Sequence, residues 1–159
     1  MVAGLIPIAS GAVQADREAL AFLGHDNGLL PDLSVAENMA LYAGSGIEAD
    51  PEICEALGVS MLSEKPVRTL SFGQARRVAL ALTCLPSKSV WLLDEPFAGV
   101  TDDFVPFIVE RLNEMRHLHN VLLVTNDHVE KLSTMADSTI LVSAINRSKV
   151  EVSGKQYDR

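Results

Sequence analysis

The run Val90-Trp91-Leu92-Leu93-Asp94-Glu95-Pro96 constrains this chain more than any other feature. Its unbroken apolar stretch fits a strand buried on both faces, the habit of strands in parallel sheets. The stretch then stops at two adjacent carboxylates and a proline. Ligands of open α/β sheets bind at the carboxyl ends of the strands. Two neighbouring acids there are costly unless a cation or a hydrogen-bond network compensates them. A strand that simply ends in a solvated acidic turn is the plainer alternative.

Upstream, Leu70-Ser71-Phe72-Gly73-Gln74 opens a helical pattern. Ser71 and Gln74 have capping-box spacing, which predicts Ser71 as the N-cap of a helix over 71–84. Free amides at a helix start attract anions, and Gly73 lets a ligand approach the backbone closely. An ordinary capped helix explains the same residues.

The rest of the chain alternates strands and helices. A short apolar piece over 1–6 stops at Pro7, and Ser10-Gly11 reads as a turn. A buried strand is expected over 19–23, closing at Gly24. A helix over 34–43 carries a capping box of Ser34 and Glu37, with Val35, Met39 and Tyr42 on one face. After a loop over 44–49, Asp50 caps a second helix with Pro51 in its first turn, and Gly58 stops it. Beyond the strand at 90–93, a long helix is expected over 102–119, with Phe104, Ile108, Leu112 and Met115 at helical spacing. A strand over 121–125, a helix over 128–135 and a strand over 139–142 follow, then a polar, peripheral tail over 146–159. This alternation implies an α/β fold with a parallel sheet covered on both faces.

The chain has 159 residues, the size of one domain, and its core is aliphatic: 48% of residues are apolar and 5% aromatic. A formal charge of −8 argues against non-specific nucleic-acid binding, which needs a basic face. Basic residues are scattered apart from Arg76-Arg77. Cys54 and Cys84 lack metal-ligand spacing and read as reduced, buried thiols. No apolar run approaches the length of a membrane span, and residues 1–13 do not read as a signal peptide.

In order and spacing, the two opening runs resemble the signature and Walker B motifs of the ATP-binding cassette ATPases. The resemblance implies a P-loop NTPase-like parallel sheet with an inserted helical subdomain, truncated at its N-terminus. Residues 1–24 would be a partial RecA-like core and 25–70 the helical subdomain. Residues 71–145 would be core with the signature helix, Walker B and switch region, and 146–159 the tail. ATP and Mg²⁺ are the implied cofactors. Asp94 would hold Mg²⁺, through water, and Glu95 would polarise the attacking water. Ser71 and Gly73 would meet the γ-phosphate of ATP held by the opposite subunit, with Gln74 in support. Phe72 stands where the family usually has a small residue.

The remaining motifs depart further from the family. Gly24-His25-Asp26-Asn27 falls where a glutamine loop is usual; Asp26 is the nearest equivalent and would reach Mg²⁺ through water. A plain Asp-Asn-Gly turn explains it equally. Residues 97–103 resemble the D-loop, with Thr101 in place of the usual aspartate; a one-residue slip or a helix cap accounts for it. Leu122-Leu123-Val124-Thr125-Asn126-Asp127-His128 resembles the switch region, with acid and histidine in reversed order. Asp127 at the switch position would repel the γ-phosphate, and His128 would take the role if the loop shifts by one residue. A helix start capped by Asn126 or Asp127 accounts for the same residues.

Phe22-Leu23-Gly24-His25-Asp26-Asn27-Gly28-Leu29-Leu30 and Leu33-Ser34-Val35-Ala36-Glu37-Asn38 are similar to the ATP-binding subunit of the haem exporter of cytochrome c maturation. That branch implies a second ATPase subunit, most simply as a homodimer, and transmembrane partners docked near residues 34–62. It places the protein in the cytoplasm, peripheral on the inner face of the cell membrane, with no direct membrane insertion and no nucleic acid. Yet no G-x-x-x-x-G-K-S/T occurs in the sequence. Ala3-Gly4-Leu5-Ile6-Pro7 looks like the segment after the Walker A helix, so the phosphate loop would precede Met1. A fragment, a misplaced start and a degenerate gene all fit. The expectation is an ATPase subunit that alone binds ATP poorly. The alternatives are a non-catalytic cassette module that complements a partner, and an unrelated α/β domain.

Overall fold

In a computed structural model of the chain, Leu20–Leu23 (β1), Val90–Asp94 (β2) and Asn120–Val124 (β3) form a parallel sheet in the order β1-β2-β3. The structure describes residues 19–43, 49–84, 90–117, 120–124, 129–133, 136–141 and 151–154, together with Ala12 and Asp16. The register pairs Leu23 with Leu93, and Leu93 with Leu123. Central β2 buries Trp91, Leu92 and Leu93, as its continuous apolar run requires. In β1, Ala21 and Leu23 are buried while Phe22 is 43% exposed.

Parallel neighbours need crossover connections. Between β1 and β2 the chain forms helices Val35–Ala43 (α1), Pro51–Ala56 (α2) and Phe72–Thr83 (α3). Helix Val105–Met115 (α4) connects β2 to β3. Short 3₁₀ turns at Ser60–Leu62 and Val67–Thr69 lead into α3. Helix α3 is the organising element, packing on β1, α1 and α2 and burying Val78 through Thr83. Ile53 and Leu57, Leu80, and Ile108, Leu112 and Met115 join the three helices α2, α3 and α4 into one apolar layer.

Helix starts follow the local signals. Ser34 Oγ accepts from Glu37 N (3.1 Å) and Glu37 Oε2 accepts from Ser34 N (2.7 Å). The Ser34 backbone amide, and after it the Ser34 hydroxyl, hold the Glu37 carboxyl below its ordinary value. Asp50 caps α2 through Glu52 N (2.9 Å), and Gly58 ends that turn with φ +63°.

Three expectations are corrected. On α1 the buried residues are Val35 and Asn38, while Tyr42 is 41% exposed with its hydroxyl donating to Gly28 O. Asn38 earns this place by bonding: Nδ2 donates to Leu30 O (3.0 Å) and Ser34 O (2.9 Å), and Oδ1 accepts from Leu30 N (2.8 Å). The long helix expected over 102–119 is shorter, at Val105–Met115. Pro106 has no N–H to donate back toward Asp102, so residues 101–104 form turns and the helix begins after them. Its innermost first-turn residue is Val105; Phe104 is the N-cap.

The chain divides into two compact units, Met1–Asp127 and His128–Arg159. In the second, helix Val129–Ser133 (α5) is followed by antiparallel strands Ser138–Leu141 (β4) and Glu151–Gly154 (β5). The third correction is β5: the polar tail contains a strand, with Ile140 opposite Val152.

Candidate functional site

The site is built on the first two turns of α3. Ser71 Oγ accepts from Gln74 N (3.2 Å), and Gln74 Oε1 accepts from Ser71 N (3.0 Å), completing the expected capping box. Accepting that bond leaves the Ser71 hydroxyl its own proton to donate. Ser71 and Phe72 are exposed. Phe72 lies beside His25, with ring centroids 6.3 Å apart. Gln74 N is taken by the cap and Ala75 N donates to Ser71 O, which leaves the amides of Phe72 and Gly73, beside an exposed hydroxyl, as the ones suited to an anion.

Gly73 packs against the turn that follows the acid pair. A Cβ on Gly73 would overlap the Gly99 carbonyl oxygen. Gly99 itself has φ +68°, and a Cβ there would meet the Phe72 ring. The close approach that sequence reasoning assigned to a ligand is made, on this side of Gly73, by the chain's own backbone.

Asp94 ends β2, and Glu95 opens the turn, where Ala98 N donates to Glu95 O (3.0 Å). Both acids are partly buried. Glu95 has φ 48°, a left-handed conformation that costs a residue with a side chain about 1–2 kcal/mol.

Sequence reasoning missed the residue that joins these parts. Arg76 is fully buried on α3. Its Nη1 donates to Gly24 O (2.6 Å) and Asn27 Oδ1 (3.0 Å). Its Nη2 donates to Glu95 O (2.8 Å) and Asp94 O. Its Nε finds no acceptor among the described residues. Burial lowers the Arg76 pKa, while the Asp94 and Glu95 charges oppose that shift. Neighbouring Arg77 faces another way, donating to Leu57 O and lying 4.0 Å from the Phe104 ring centroid. The adjacent basic pair was the only available signal, and it does not say which arginine turns inward.

The structure thus gathers Ser71, Gly73, Gln74, Asp94, Glu95 and the loop bearing exposed Asp26 around the start of α3. His128 and Asp127 lie outside the described residues. Among the described residues no three His, Cys, Asp or Glu side chains are grouped to hold a metal ion. An Mg²⁺ ion at this site would need phosphate oxygens and waters to complete its shell, as Mg²⁺ commonly does. No helix among the described residues is long and apolar enough to cross a membrane.

The chain is similar to known proteins. A family model described as ABC transporter matches residues 2–98. The cytochrome c biogenesis ATP-binding export protein CcmA of Paracoccus denitrificans is 38% identical over 115 residues, covering 70% of this chain and 53% of that protein. The corresponding CcmA 2 of Cupriavidus metallidurans is 41% identical over 102 residues, covering 58% and 48%. The chain spans about half the length of these curated relatives. A solved structure described as the ATP binding subunit of an ABC transporter superposes with a TM-score of 0.69 at 20% identity, over 78% of this chain and 55% of that one; it shows the α/β fold. The match over residues 2–98, more than half of the chain, means that the chain belongs to the ABC transporter family.

Proposed function

We propose that this chain is part of the ATP-hydrolysing subunit of a transporter of the cytochrome c maturation type, whose cargo is haem. In this reading Asp94 holds Mg²⁺ through water, and Asp26 adds a second water-bridged oxygen. Glu95 accepts a hydrogen bond from the attacking water and orients it, with His128 as the switch residue. Ser71 and Gly73 meet the γ-phosphate of a nucleotide carried by a second subunit, and Gln74 supports them by fixing the cap. Bound Mg²⁺-ATP would supply the phosphoryl group; the protein's part is positioning and electrostatics. The subunit pairs head to tail with a second copy. The helical region near residues 34–62 docks on transmembrane partners at the cytoplasmic face of the membrane.

One observation supports this reading above others. A capped helix start with an exposed hydroxyl packs on the turn that follows two acids at the carboxyl end of a central parallel strand. The test is Glu95→Gln in a full-length protein that includes a phosphate loop. ATP should be bound and not turned over; unchanged hydrolysis would remove Glu95 from this role.

A second reading is favoured by the sequence itself. Asp127 stands where the switch histidine is usual and Asp26 where the glutamine is usual, and an acid at the switch position would repel a γ-phosphate. The chain then acts as a non-catalytic cassette that presents its α3 start to a partner's nucleotide. Calorimetry of ATP with this chain alone is expected to show binding too weak to saturate. Micromolar affinity would exclude this second reading.

A further inference from the structure

Two segments far apart in sequence meet on the Arg76 side chain. Gly24 is 52 residues from Arg76, and Glu95 is 19 residues away on the other side. Among the described residues Glu95 is the one non-glycine with a left-handed φ. Its carbonyl is fixed from two directions, by Arg76 Nη2 and by the Ala98 amide. A strained backbone conformation persists only where its surroundings over-determine it.

We propose that Arg76 is a positioning residue. Its guanidinium holds Glu95 in the left-handed conformation and couples that conformation to the loop at residues 24–27. The inference rests on the reading of Glu95 as the acid of an ATPase site for its functional meaning, though its geometry needs no nucleotide. A planar guanidinium presents its donors in a rigid fork, so it serves acceptors on two segments at once. An ammonium group is a compact charge at the end of a flexible stem and cannot span both pairs. If the 24–27 loop swings away, Nη1 loses Gly24 O and Asn27 Oδ1 and the plane reorients. Nη2 is part of the same rigid plane and leaves the Asp94 and Glu95 carbonyls. The direction of the Glu95 Cα–Cβ bond follows its φ, so the placement of the carboxylate becomes conditional on the loop.

The test is backbone NMR on the 159-residue chain without nucleotide. The Glu95 Cα and Cβ shifts report its φ, and the Ala98 amide reports the hydrogen bond to Glu95 O. In Arg76→Lys, the Glu95 shifts should leave the left-handed range, and Ala98 exchange should quicken by about tenfold or more. Asn27→Ala removes one acceptor and leaves Arg76 in place; it should move the same Glu95 signals in the same direction by less. Arg77→Lys should leave them where they are. Left-handed Glu95 shifts in a folded Arg76→Lys protein would overturn the proposal, as would an Asn27→Ala effect confined to residues 24–27. If Arg76→Lys does not fold, Asn27→Ala decides. Unchanged ATP turnover by Glu95→Gln in the full-length protein would remove Glu95 from its catalytic role and leave this coupling standing.

Discussion

Gly73 in the first turn of α3 lies against the carbonyl of Gly99 with no room for a Cβ between them. The obstruction is backbone, so it cannot be relieved by a side-chain rotation. Gly73→Ala should therefore push the turn at residues 98–100 away from α3 and destabilise the protein by about 1–3 kcal/mol. Urea denaturation measures this directly. A variant as stable as the parent would mean that α3 and the turn after the acid pair are free to part.

The reciprocal cap at Ser71 and Gln74 predicts a coupled pair. Ser71→Ala leaves the Gln74 amide without its acceptor and should cost about 1 kcal/mol. Gln74→Ala removes the return bond to Ser71 N and should cost less, because that amide is exposed to water. Since the two bonds close one ring, the double variant should lose less than the sum of the single losses. Additive losses in urea denaturation would show that the two halves of the cap act separately.

Local signals made the caps and β2 legible. Ser34 with Glu37, Asp50 before Pro51 and Ser71 with Gln74 each act within a turn, and the structure forms all three. The acid pair was legible because an apolar strand makes two following carboxylates conspicuous. Arg76 was hidden because its value comes from carbonyls that carry no sequence signal, on segments on either side of it. Asn38 was hidden for the same reason; its partners are the backbone of Leu30 and Ser34. Strand β5 escaped because pairing with β4 compensates a polar segment in a way that its own composition does not announce. At Phe104 helical spacing misled, since Pro106 moves the helix start past it.

Asp50 has two separable tasks. Its Oδ1 caps α2 through Glu52 N, and its Oδ2 pairs with Arg111 Nη2 on α4 at 3.3 Å. Both side chains of the pair are about a third exposed, so the ion pair is worth up to about 1 kcal/mol. Asp50→Asn keeps an oxygen for the cap and should lose only that share. Asp50→Ala loses the cap as well and should cost about 1 kcal/mol more. If the two variants are equally destabilised in urea, the cap contributes nothing and the assignment fails.

Cys84 links stability to alkaline pH. It follows α3 as the C-cap and lines the apolar pocket with Ile53, Leu80 and Met115. Burial pushes its thiol from 9.0 up to about 12, with Arg111 opposing the rise and Asp50 adding to it. Because the folded-state value is the higher one, the folded chain keeps its proton at pH values where the unfolded chain has released it. This contribution is complete below about pH 9 and declines as pH rises from there toward 12. Cys54 is raised in the same sense by burial and by Asp50, so it stays intact in the comparison. Urea denaturation between pH 8 and pH 11, on either side of the ordinary thiol value of 9.0, should show the parent losing more stability than Cys84→Ala over that interval. Parallel losses in the two proteins would mean that the Cys84 thiol titrates alike folded and unfolded, and that the pocket among α2, α3 and α4 admits water.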